Sequence, residues 1–387
     1  MQKLYLDLKF TSNIPEAFRK GADELSADSG ANLGNFAFRH ALKFLIADFY
    51  QYRPVRYIEF AKAATANDVE DAIVSCANWL GLGEQNEMSN LHRANAVEQF
   101  NGKMVCFGLG VQASMEAELP KLGPNTVRLA KVLAERATLL SVRDQLTQDT
   151  LESEGIYNTV VTGCPSNFIN SDPELGKKVA ARAFALAETS ENWASVRSCI
   201  SEASGGHSHS GAVIEKMLQM LDETPAFYLI QSPALLAFVL GQRGDIPQSY
   251  RANSPFKDQF GKLTQVLKST VLHFTHMDAW MDFARTCDIS FGMRIHGTMV
   301  PLQAGVPSAL IAHDSRTIGL AEHMGIPWTN PEEFLKISAD GPSALFKHIG
   351  NTMLNYDENR AARAAVFHDY MVKNELKPAA SFMQLVK

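Results

Sequence analysis

The side chains best suited to chemistry lie in the segment DISFGMRIHG, from Asp288 to Gly297. Arg294 and His296 are two residues apart, so in an extended turn both side chains would point to one side. Arginine offers a planar fork of donors that suits a carboxylate or a phosphate, and histidine exchanges protons near physiological pH. Gly297 and Thr298 then open a predicted helix, whose unsatisfied N–H groups favour an anion. Together these features predict an anion-binding active site.

The same two residues also have an ordinary structural interpretation. Arg294 could pair with a structural carboxylate, and His296 could be a buried histidine with satisfied ring nitrogens. A motif this short also occurs by chance, so both interpretations stay open from spacing alone. The position of the two side chains relative to a cleft decides between them.

A second polar cluster, HDSRT, occupies positions 313–317, directly after another predicted strand. Asp314 and Arg316 bring a carboxylate and a guanidinium to the carboxyl end of that strand. Asp314 or the serine after it could equally cap the helix that follows. As a whole, the cluster is predicted to border the same site as the preceding strand end.

Further polar residues follow other predicted strands and are candidates for ligand contact. They are Arg143, Ser166, Gln231, Ser232 and His276. Arg143 could instead form an ion pair that stabilises its domain. His273, His276 and Asp278 resemble a metal cluster, but a strand-end polar pair and a helix cap are favoured there, so no metal is expected.

These candidates need elements that bring strand ends together. Strand-like segments alternate with helices of about ten residues through most of the chain, a pattern typical of right-handed βαβ units and parallel sheets. The strand-like segments lie at 1–9, 55–60, 71–75, 103–107, 138–142, 160–163, 226–231, 271–274, 288–291 and 308–312. In open parallel sheets a ligand binds beyond the carboxyl ends of the strands, where the candidate residues lie.

The alternation occurs in two halves, separated at 171–222 by a segment of different character that includes the polar loop GGHSHSG. The predicted fold class is therefore α/β, with two Rossmann-like domains facing a cleft. The predicted domains are residues 1–190 and 191–387. A final helix over 358–374 is a candidate to pack back on the first domain.

Composition narrows the functional classes. The 387 residues are 46% hydrophobic and 20% charged, with a net charge of -6 and no long run of Lys or Arg, so we expect no nucleic-acid binding. Five scattered cysteines without a C-x-x-C pair are typical of reduced thiols. The first ten residues look like a strand and lack the pattern of a signal peptide. We therefore expect a cytoplasmic protein.

Three stretches of the chain, which together cover roughly residues 31–330, resemble the polysaccharide pyruvyl transferase family. They are GMRIHGTMVPLQAGVPSALIAHDSRTIGLAEHMGIP, LLSVRDQLTQDTLESEGIYNTVVTGCPS and ANLGNFAFRHAL. The first is similar to the C-terminal signature of the family, and the second to its S-x-R-D, helix, glycine, strand and Pro-Ser pattern. In the third, Asn35 stands where the family commonly has Asp.

The resemblance implies a fold like that of GT-B glycosyltransferases, with the active site between the domains. Members of the family transfer the enolpyruvyl carbons of phosphoenolpyruvate to two hydroxyls of a sugar, which gives a pyruvate ketal and releases phosphate. By resemblance, Arg294 and the helix start at Gly297 and Thr298 hold one anionic end of the donor. His296 is the candidate general acid, and Asp314 the candidate general base.

The remaining candidates complete the predicted cleft: Asn35, Arg143, Ser166, Gln231, Ser232, His276 and Arg316. The expected partners are phosphoenolpyruvate as donor and a sugar or lipid-linked oligosaccharide as acceptor, the latter with peripheral membrane contact. No cofactor is expected. Two other functions stay open: a GT-B glycosyltransferase that uses a nucleotide sugar, and a non-catalytic relative that binds a glycan or an anion.

Overall fold

The computed structural model describes residues 2–7, 12–64, 69–112, 119–204, 210–256 and 259–386. The strands there are β1 (Gln2–Asp7), β2 (Tyr52–Arg56), β3 (Val69–Ser75), β4 (Leu80–Gly81), β5 (Lys103–Phe107), β6 (Val111–Gln112), β7 (Leu140–Val142), β8 (Thr159–Val161), β9 (Ser198–Ser201), β10 (Ala226–Leu229), β11 (Val271–Leu272), β12 (Ile289–Gly292), β13 (Ser308–Ile311) and β14 (Trp328–Thr329). The α-helices are α1 (Ala22–Ser29), α2 (Asn35–Leu45), α3 (Tyr57–Ala64), α4 (Glu84–Glu98), α5 (Pro124–Arg136), α6 (Gln145–Ser153), α7 (Leu175–Thr189), α8 (Ser210–Glu223), α9 (Pro233–Val239), α10 (Gln248–Ala252), α11 (Phe260–Thr270), α12 (Met277–Arg285), α13 (Ile295–Gln303), α14 (Ser315–Met324), α15 (Pro331–Ala339), α16 (Pro342–Met353), α17 (Tyr356–Lys373) and α18 (Ala380–Met383).

The first sheet is parallel, with strand order β2-β1-β3-β5. Its side chains alternate between two buried faces, as the period of a strand requires. Leu4 and Leu6 pack into a core with residues of α4 and α5. Tyr5 and Ile73 pack into a core on the other face. Both faces are covered by helices, which is the usual state of a parallel sheet.

The second sheet is also parallel, with strand order β11-β10-β9-β12-β13-β14. The strand predicted at 226–231 is present as β10, but the expectation that it is the first strand of this half is wrong. The strand β9 precedes it and lies at the centre of the sheet, inside the segment 171–222 that was expected to hold the domain junction. Every residue of β9 is buried, but its four residues, SCIS, are too few and too small to give a recognisable strand pattern in the sequence.

Both sheets reverse their strand order at a central pair, β1 and β3 in the first and β9 and β12 in the second. Loops that leave the carboxyl ends of such a pair diverge and open a crevice, where ligands bind in α/β proteins. The molecule is thus α/β with two Rossmann-like domains facing a cleft, a GT-B-like arrangement.

Two helices link the halves of the chain. Helix α7, which the predicted boundary assigns to the first domain, buries Leu175 and Val179 in the core of the second sheet. Helix α17 lies against the first sheet, where Phe367 stacks on Phe107 with ring centroids 6.0 Å apart. In the same helix the Tyr370 hydroxyl donates to the carbonyl of Cys106.

Some boundaries differ from the predicted ones. The strand expected at 55–60 ends at Arg56, and α3 begins at Tyr57. Most of the GGHSHSG loop, residues 205–209, lies outside the described residues.

All five cysteines are free thiols. No helix in the described part of the chain is both long enough and apolar enough to cross a bilayer.

Candidate active site

A cavity of about 200 Å³ lies between the two halves of the molecule. Its polar lining includes Asn32, Asn35, Asn78 and Arg143 from the first half, and Gln231, Arg294, His296, His313 and Arg316 from the second. The volume is below the ~300–1,000 Å³ of pockets that hold drug-sized ligands. The cavity therefore suits a small ligand, and guanidinium and amide groups surround it.

Arg294 reaches the cavity because the chain turns sharply after β12. Gly292 has φ +150°, and a Cβ there would lie 2.2 Å from Ser201 Oγ, so only glycine fits. Arg294 is then the N-cap residue of α13, in extended conformation. Its side chain is 31% exposed, and Nη2 lies 3.8 Å from Oε2 of Glu202. The arginine thus pairs with a structural carboxylate and also lines the cavity.

Glu202, which sequence reasoning missed, is the buried partner of this arginine. It follows β9 and is 2% exposed. Its carboxylate accepts N–H bonds from Gln231 at 3.0 Å and Ser232 at 2.8 Å, and hydroxyl bonds from Ser232 and Tyr250. A buried carboxylate is tolerated only with such donors and a nearby cation. No sequence pattern marks it, because a single Glu after a four-residue strand has no periodicity.

His296 lies in the first turn of α13 and is 5% exposed. Burial lowers the pKa of its imidazole to about 3, and the positive charges of three arginines add to the effect. Those arginines are Arg143, Arg316 and Arg39. Nε2 of the ring lies 3.6 Å from Sγ of Cys164. The unliganded site therefore holds a neutral imidazole among cations at pH 7. An anion that offsets those charges would raise the pKa of the ring.

Two further guanidinium groups face the same cavity from opposite halves. Arg143 follows β7 and is 5% exposed; its Nη1 donates to Oδ1 of Asn78 at 2.6 Å, and burial lowers the pKa of its guanidinium. Nε of Arg143 is buried, and the described residues offer it no hydrogen-bond acceptor. Arg316 lies on α14 and places Nη2 3.3 Å from Oδ2 of Asp314.

The N-terminus of α13 adds backbone donors. The first hydrogen bond of the helix runs from the N–H of Thr298 to the carbonyl of Arg294, at 3.2 Å. The N–H groups of residues 295–297 precede that bond, and Ile295 and His296 line the cavity. Unsatisfied N–H groups and the positive end of the helix dipole favour an anion. Together with three guanidinium groups, these backbone donors give the cavity the chemistry that a small polyanion requires.

Gly297 and Thr298, the two residues predicted to bind a ligand at this helix start, pack against neighbouring elements. The hydroxyl of the fully buried Thr298 donates to the carbonyl of Ala309 at 3.4 Å. A Cβ on Gly297 would lie 2.2 Å from Cβ of Ser201, so this glycine allows α13 to pack closely on β9. The helix also begins at Ile295, so Arg294 and His296 do not share the extended turn that the spacing suggested.

Asp314, the predicted general base, is placed as a helix cap. Its carboxylate accepts the N–H of Thr317 at 2.7 Å and lies 3.3 Å from Arg316 and 3.8 Å from His313. Burial alone would raise the pKa of this carboxyl, but Arg316 and the hydrogen bonds of Thr317 lower it overall. Asp314 is not among the residues that line the cavity. In this position Asp314 caps α14 and holds Arg316, and its role as a general base stays a prediction.

Three other candidates do not line the cavity. Ser166 is fully buried and donates to Sγ of Cys164 at 3.1 Å. Ser232 holds Glu202, as described above. His276 is the half-exposed N-cap residue of α12, 3.8 Å from Asp278. Within the described residues, no group of three or more His, Cys, Asp or Glu side chains is arranged to hold a metal.

Asn35 and Gln231, two of the predicted ligand contacts, line the cavity. Nδ2 of Asn35 donates to the carbonyls of Ser29 and Gly30, each at 3.3 Å. Gln231 is 2% exposed, and its buried Nε2 has no acceptor among the described residues. An amide donor in that position is available to a ligand.

Besides Glu202, sequence reasoning missed Asn32, Asn78 and Arg39. Asn78 follows β3 and Asn32 precedes α2, so a search of every strand end and helix start would have found both. Arg39 lies within α2, where a charged residue among buried apolar neighbours was the available signal.

A comparison with models of known protein families finds a match for this chain. A family model described as polysaccharide pyruvyl transferase matches residues 32–315. No curated protein matches the chain at a significant level.

Among solved structures, the chain is similar to the S. aureus MnaA–UDP co-structure, at 12% identity over 98% of this chain and 99% of that chain, with a TM-score of 0.45. It is also similar to UDP-GlcNAc 2-epimerase from Neisseria meningitidis bound to UDP-GlcNAc, at 11% identity over 88% and 82% of the two chains, with a TM-score of 0.41. A third is Methanocaldococcus jannaschii UDP-GlcNAc 2-epimerase in complex with UDP-GlcNAc and UDP, at 11% identity over 83% and 75%, with a TM-score of 0.38. At these identities and TM-scores no function follows.

The family match covers most of the chain and both halves of the cavity. Asn35, Arg143, Arg294 and His296 all lie within the matched residues. The chain therefore belongs to the polysaccharide pyruvyl transferase family and is a transferase.

Proposed function

We propose that the chain transfers the enolpyruvyl group of phosphoenolpyruvate to two hydroxyls of a sugar in a cell-surface polysaccharide or glycan precursor. The product is a pyruvate ketal, and phosphate leaves. The observation that supports this most is the convergence of Arg143, Arg294, Arg316 and the N-terminus of α13 on one small cavity. Phosphoenolpyruvate carries a carboxylate and a phosphate a few bonds apart, so it needs several such groups in a small volume.

In this proposal His296 moves every proton. The protonated ring gives its proton to the methylene carbon, and the first sugar hydroxyl adds to the neighbouring carbon and returns a proton to the ring. The ring then protonates the phosphate oxygen as the C–O bond breaks, and the second hydroxyl adds and restores the imidazolium. Two hydroxyl protons thus end on the new methyl group and on phosphate. Such acid–base help is typically worth about 10²–10⁴ in rate.

The donor itself would prepare His296 for this role. Without a ligand, burial and the surrounding arginines keep the pKa of the ring at about 3, so it is neutral at pH 7. Phosphoenolpyruvate brings negative charge among those arginines and reverses their effect on the ring. Protonated His296 would therefore be more populated in the donor complex than in the unliganded protein. One imidazole in both roles also removes the need for Asp314 as a base.

We propose a sugar or a lipid-linked oligosaccharide as acceptor, bound on the side of the cavity that the first half of the chain forms. With a lipid-linked acceptor, contact with the membrane would be peripheral. The scheme requires no metal or other cofactor, and we propose that the reaction takes place in the cytoplasm.

The test is phosphate release from phosphoenolpyruvate in the presence of candidate glycosides. His296→Gln should lower kcat by about 10²–10⁴. Arg294→Gln should raise the KM for phosphoenolpyruvate by about tenfold or more, since it removes a charged donor. Arg285→Gln, at a side chain that is 69% exposed, is the matched control and should behave like the wild type.

Two results would contradict the proposal. Thermal stabilisation by a UDP- or GDP-sugar but not by phosphoenolpyruvate would favour a nucleotide-sugar glycosyltransferase. Binding of phosphoenolpyruvate without phosphate release across acceptors would favour a non-catalytic relative.

A further inference from the structure

A second cavity, of about 280 Å³, opens beside the first. The two share Asn32, Asn35, Ala77 and Asn78 in their linings, so they are adjacent. The second cavity lies entirely among residues of the first half of the chain, which contribute Leu6, Gly30, Ser75 and Trp79 as well. A molecule in the second cavity would therefore lie beside a donor bound in the first.

The shared wall is made of amides. Oδ1 of Asn32 accepts the N–H of Gly34 at 2.8 Å, and Oδ1 of Asn78 accepts from Arg143 at 2.6 Å. Both side chains are thus oriented, and Asn78 connects the new cavity to a cation of the donor site. Side-chain amides both donate and accept, which is the chemistry that sugar hydroxyls require.

Another wall of this cavity is different, because it carries two arginines held against aromatic rings. The Arg93 guanidinium lies 4.5 Å from the centroid of the Trp79 ring, and its Nη1 donates to Oδ1 of Asn90 at 2.7 Å. Asn90 is fully buried and is fixed by the carbonyl of Trp79 and the hydroxyl of Thr126. Arg93 therefore has a defined position.

Arg39 is the second cation of that wall. It is 4% exposed, and its guanidinium lies 5.2 Å from the centroid of Phe38 and 5.8 Å from that of Phe36. Arg39 and Arg93 each have a further interaction within the protein. An arginine has five donors in a planar fork, and stacking holds that plane in place for an oxyanion. This wall thus brings two guanidinium groups to the lining of the cavity, a feature that a neutral sugar does not require.

We propose that this second cavity binds the acceptor, and that the acceptor carries an oxyanion beside its reacting sugar. The sugar hydroxyls lie against the asparagines near the donor, and the oxyanion lies against Arg39 and Arg93. The oxyanion is the carboxylate of a uronic acid or a phosphate ester, which share this recognition chemistry. The identification of this ligand as the acceptor rests on the proposed function. The site itself is defined by the cavity.

The test is calorimetric binding without phosphoenolpyruvate, so it does not depend on the transfer reaction. The probes are a methyl hexoside, the matching methyl hexuronide and the hexose 1-phosphate. The wild type should bind one of the two charged probes at least about tenfold more tightly than the neutral one, a difference of ~1.4 kcal/mol. The stronger charged probe identifies the carboxylate or the phosphate as the group recognised.

Arg93→Gln should abolish this difference while leaving phosphoenolpyruvate binding unchanged. Arg39 is deeply buried, so Arg39→Lys, which keeps the charge, is used with a melting temperature to show that it folds. Arg56→Gln, at an exposed position of the same half, is the control. Equal binding of charged and neutral probes by the wild type, or unchanged discrimination in Arg93→Gln, would overturn the inference. Charge discrimination without phosphate release from phosphoenolpyruvate would overturn the proposed function but keep this site.

Discussion

At the scale of single residues, the pairing of Glu202 with Arg294 determines how well the donor site is formed before a ligand arrives. Four hydrogen bonds fix the carboxylate, and its charge in turn holds the guanidinium at 3.8 Å. A preorganised arginine loses less entropy when it binds an anion than a mobile one does. Glu202 is thus a positioning residue for the donor, and it acts through Arg294.

Glu202→Gln keeps the shape of the side chain but removes the charge. We expect the KM for phosphoenolpyruvate to rise by about tenfold, ~1.4 kcal/mol of binding free energy. We expect little change in kcat, because His296 is untouched. Initial rates of phosphate release at varied donor concentration measure both constants. Glu188→Gln, at an exposed position on α7, is the control, and an unchanged KM in Glu202→Gln would contradict the positioning role.

His296 gives a prediction that does not depend on turnover. Its pKa is about 3 in the unliganded protein, and a bound anion raises it. The phosphate of the donor also titrates near pH 6, so the prediction is a difference: binding of phosphoenolpyruvate near pH 6.5 should take up more protons per site in the wild type than in His296→Gln. Calorimetry in buffers of different ionisation enthalpy measures this uptake. His296→Gln should still bind the donor; equal uptake in the variant and the wild type would assign the proton to the ligand or to another group.

The candidate site was only partly predictable at this scale. Arg294 and His296 stand out because a strand, a glycine and a helix start surround them in sequence. Asp314 occupies a similar strand end, yet the same position serves a helix cap, and sequence alone cannot separate the two uses. Glu202 acts through side chains from distant parts of the chain, so no local pattern reveals it.

At the scale of elements, the packing of α13 on β9 sets the position of the anion site. Gly292 and Gly297 bring the helix start against Ser201, at distances that exclude a Cβ at either glycine. Because the free N–H groups and Arg294 both belong to this helix start, a shift of the helix would move them together. The glycines thus fix the geometry of the donor site without contact to the donor.

Gly297→Ala should destabilise the protein by ~1–3 kcal/mol, because the new methyl group meets Cβ of Ser201 and the amide of Gln231. It should also weaken donor binding. Gly261→Ala is the matched control: this helical glycine in α11 has open space around its Cβ position, and alanine should stabilise it by ~0.5–1 kcal/mol. Chemical denaturation measures both changes. Equal stability of Gly297→Ala and wild type would show that the helix moves freely.

Element types were easier to predict than element limits. Long periodic segments such as α17 have enough residues to show a helical pattern. The strand β9 is missed, because four small residues give no period and the sheet around them supplies all of their burial. The start of α13 is also misplaced, since the helix begins with Ile295 and His296, before the residues that looked helical.

At the scale of the whole molecule, several histidines are buried in neutral form. Burial lowers the pKa of His296 to about 3 and the pKa values of His40 and His323 to about 4. In the unfolded chain their pKa values return to about 6.5. Below pH 6.5 the unfolded chain therefore binds more protons than the native protein does. Linkage then requires that the free energy of unfolding falls as the pH falls from about 6.5 towards 4.

The contribution of His296 to this loss should approach ~1.4 kcal/mol per pH unit, since the ring is almost fully buried. We expect the free energy of unfolding of the wild type to fall between pH 6.5 and 5. The carboxyl groups of Glu87, Asp172 and Asp314, whose pKa values are lowered, titrate below this range. Urea denaturation at each pH measures it. His296→Gln should have a shallower slope, whereas His92→Gln, at an exposed position, should keep the slope of the wild type. Parallel slopes for His296→Gln and wild type would mean that the imidazole is already protonated in the unliganded protein, and that the donor does not control its proton.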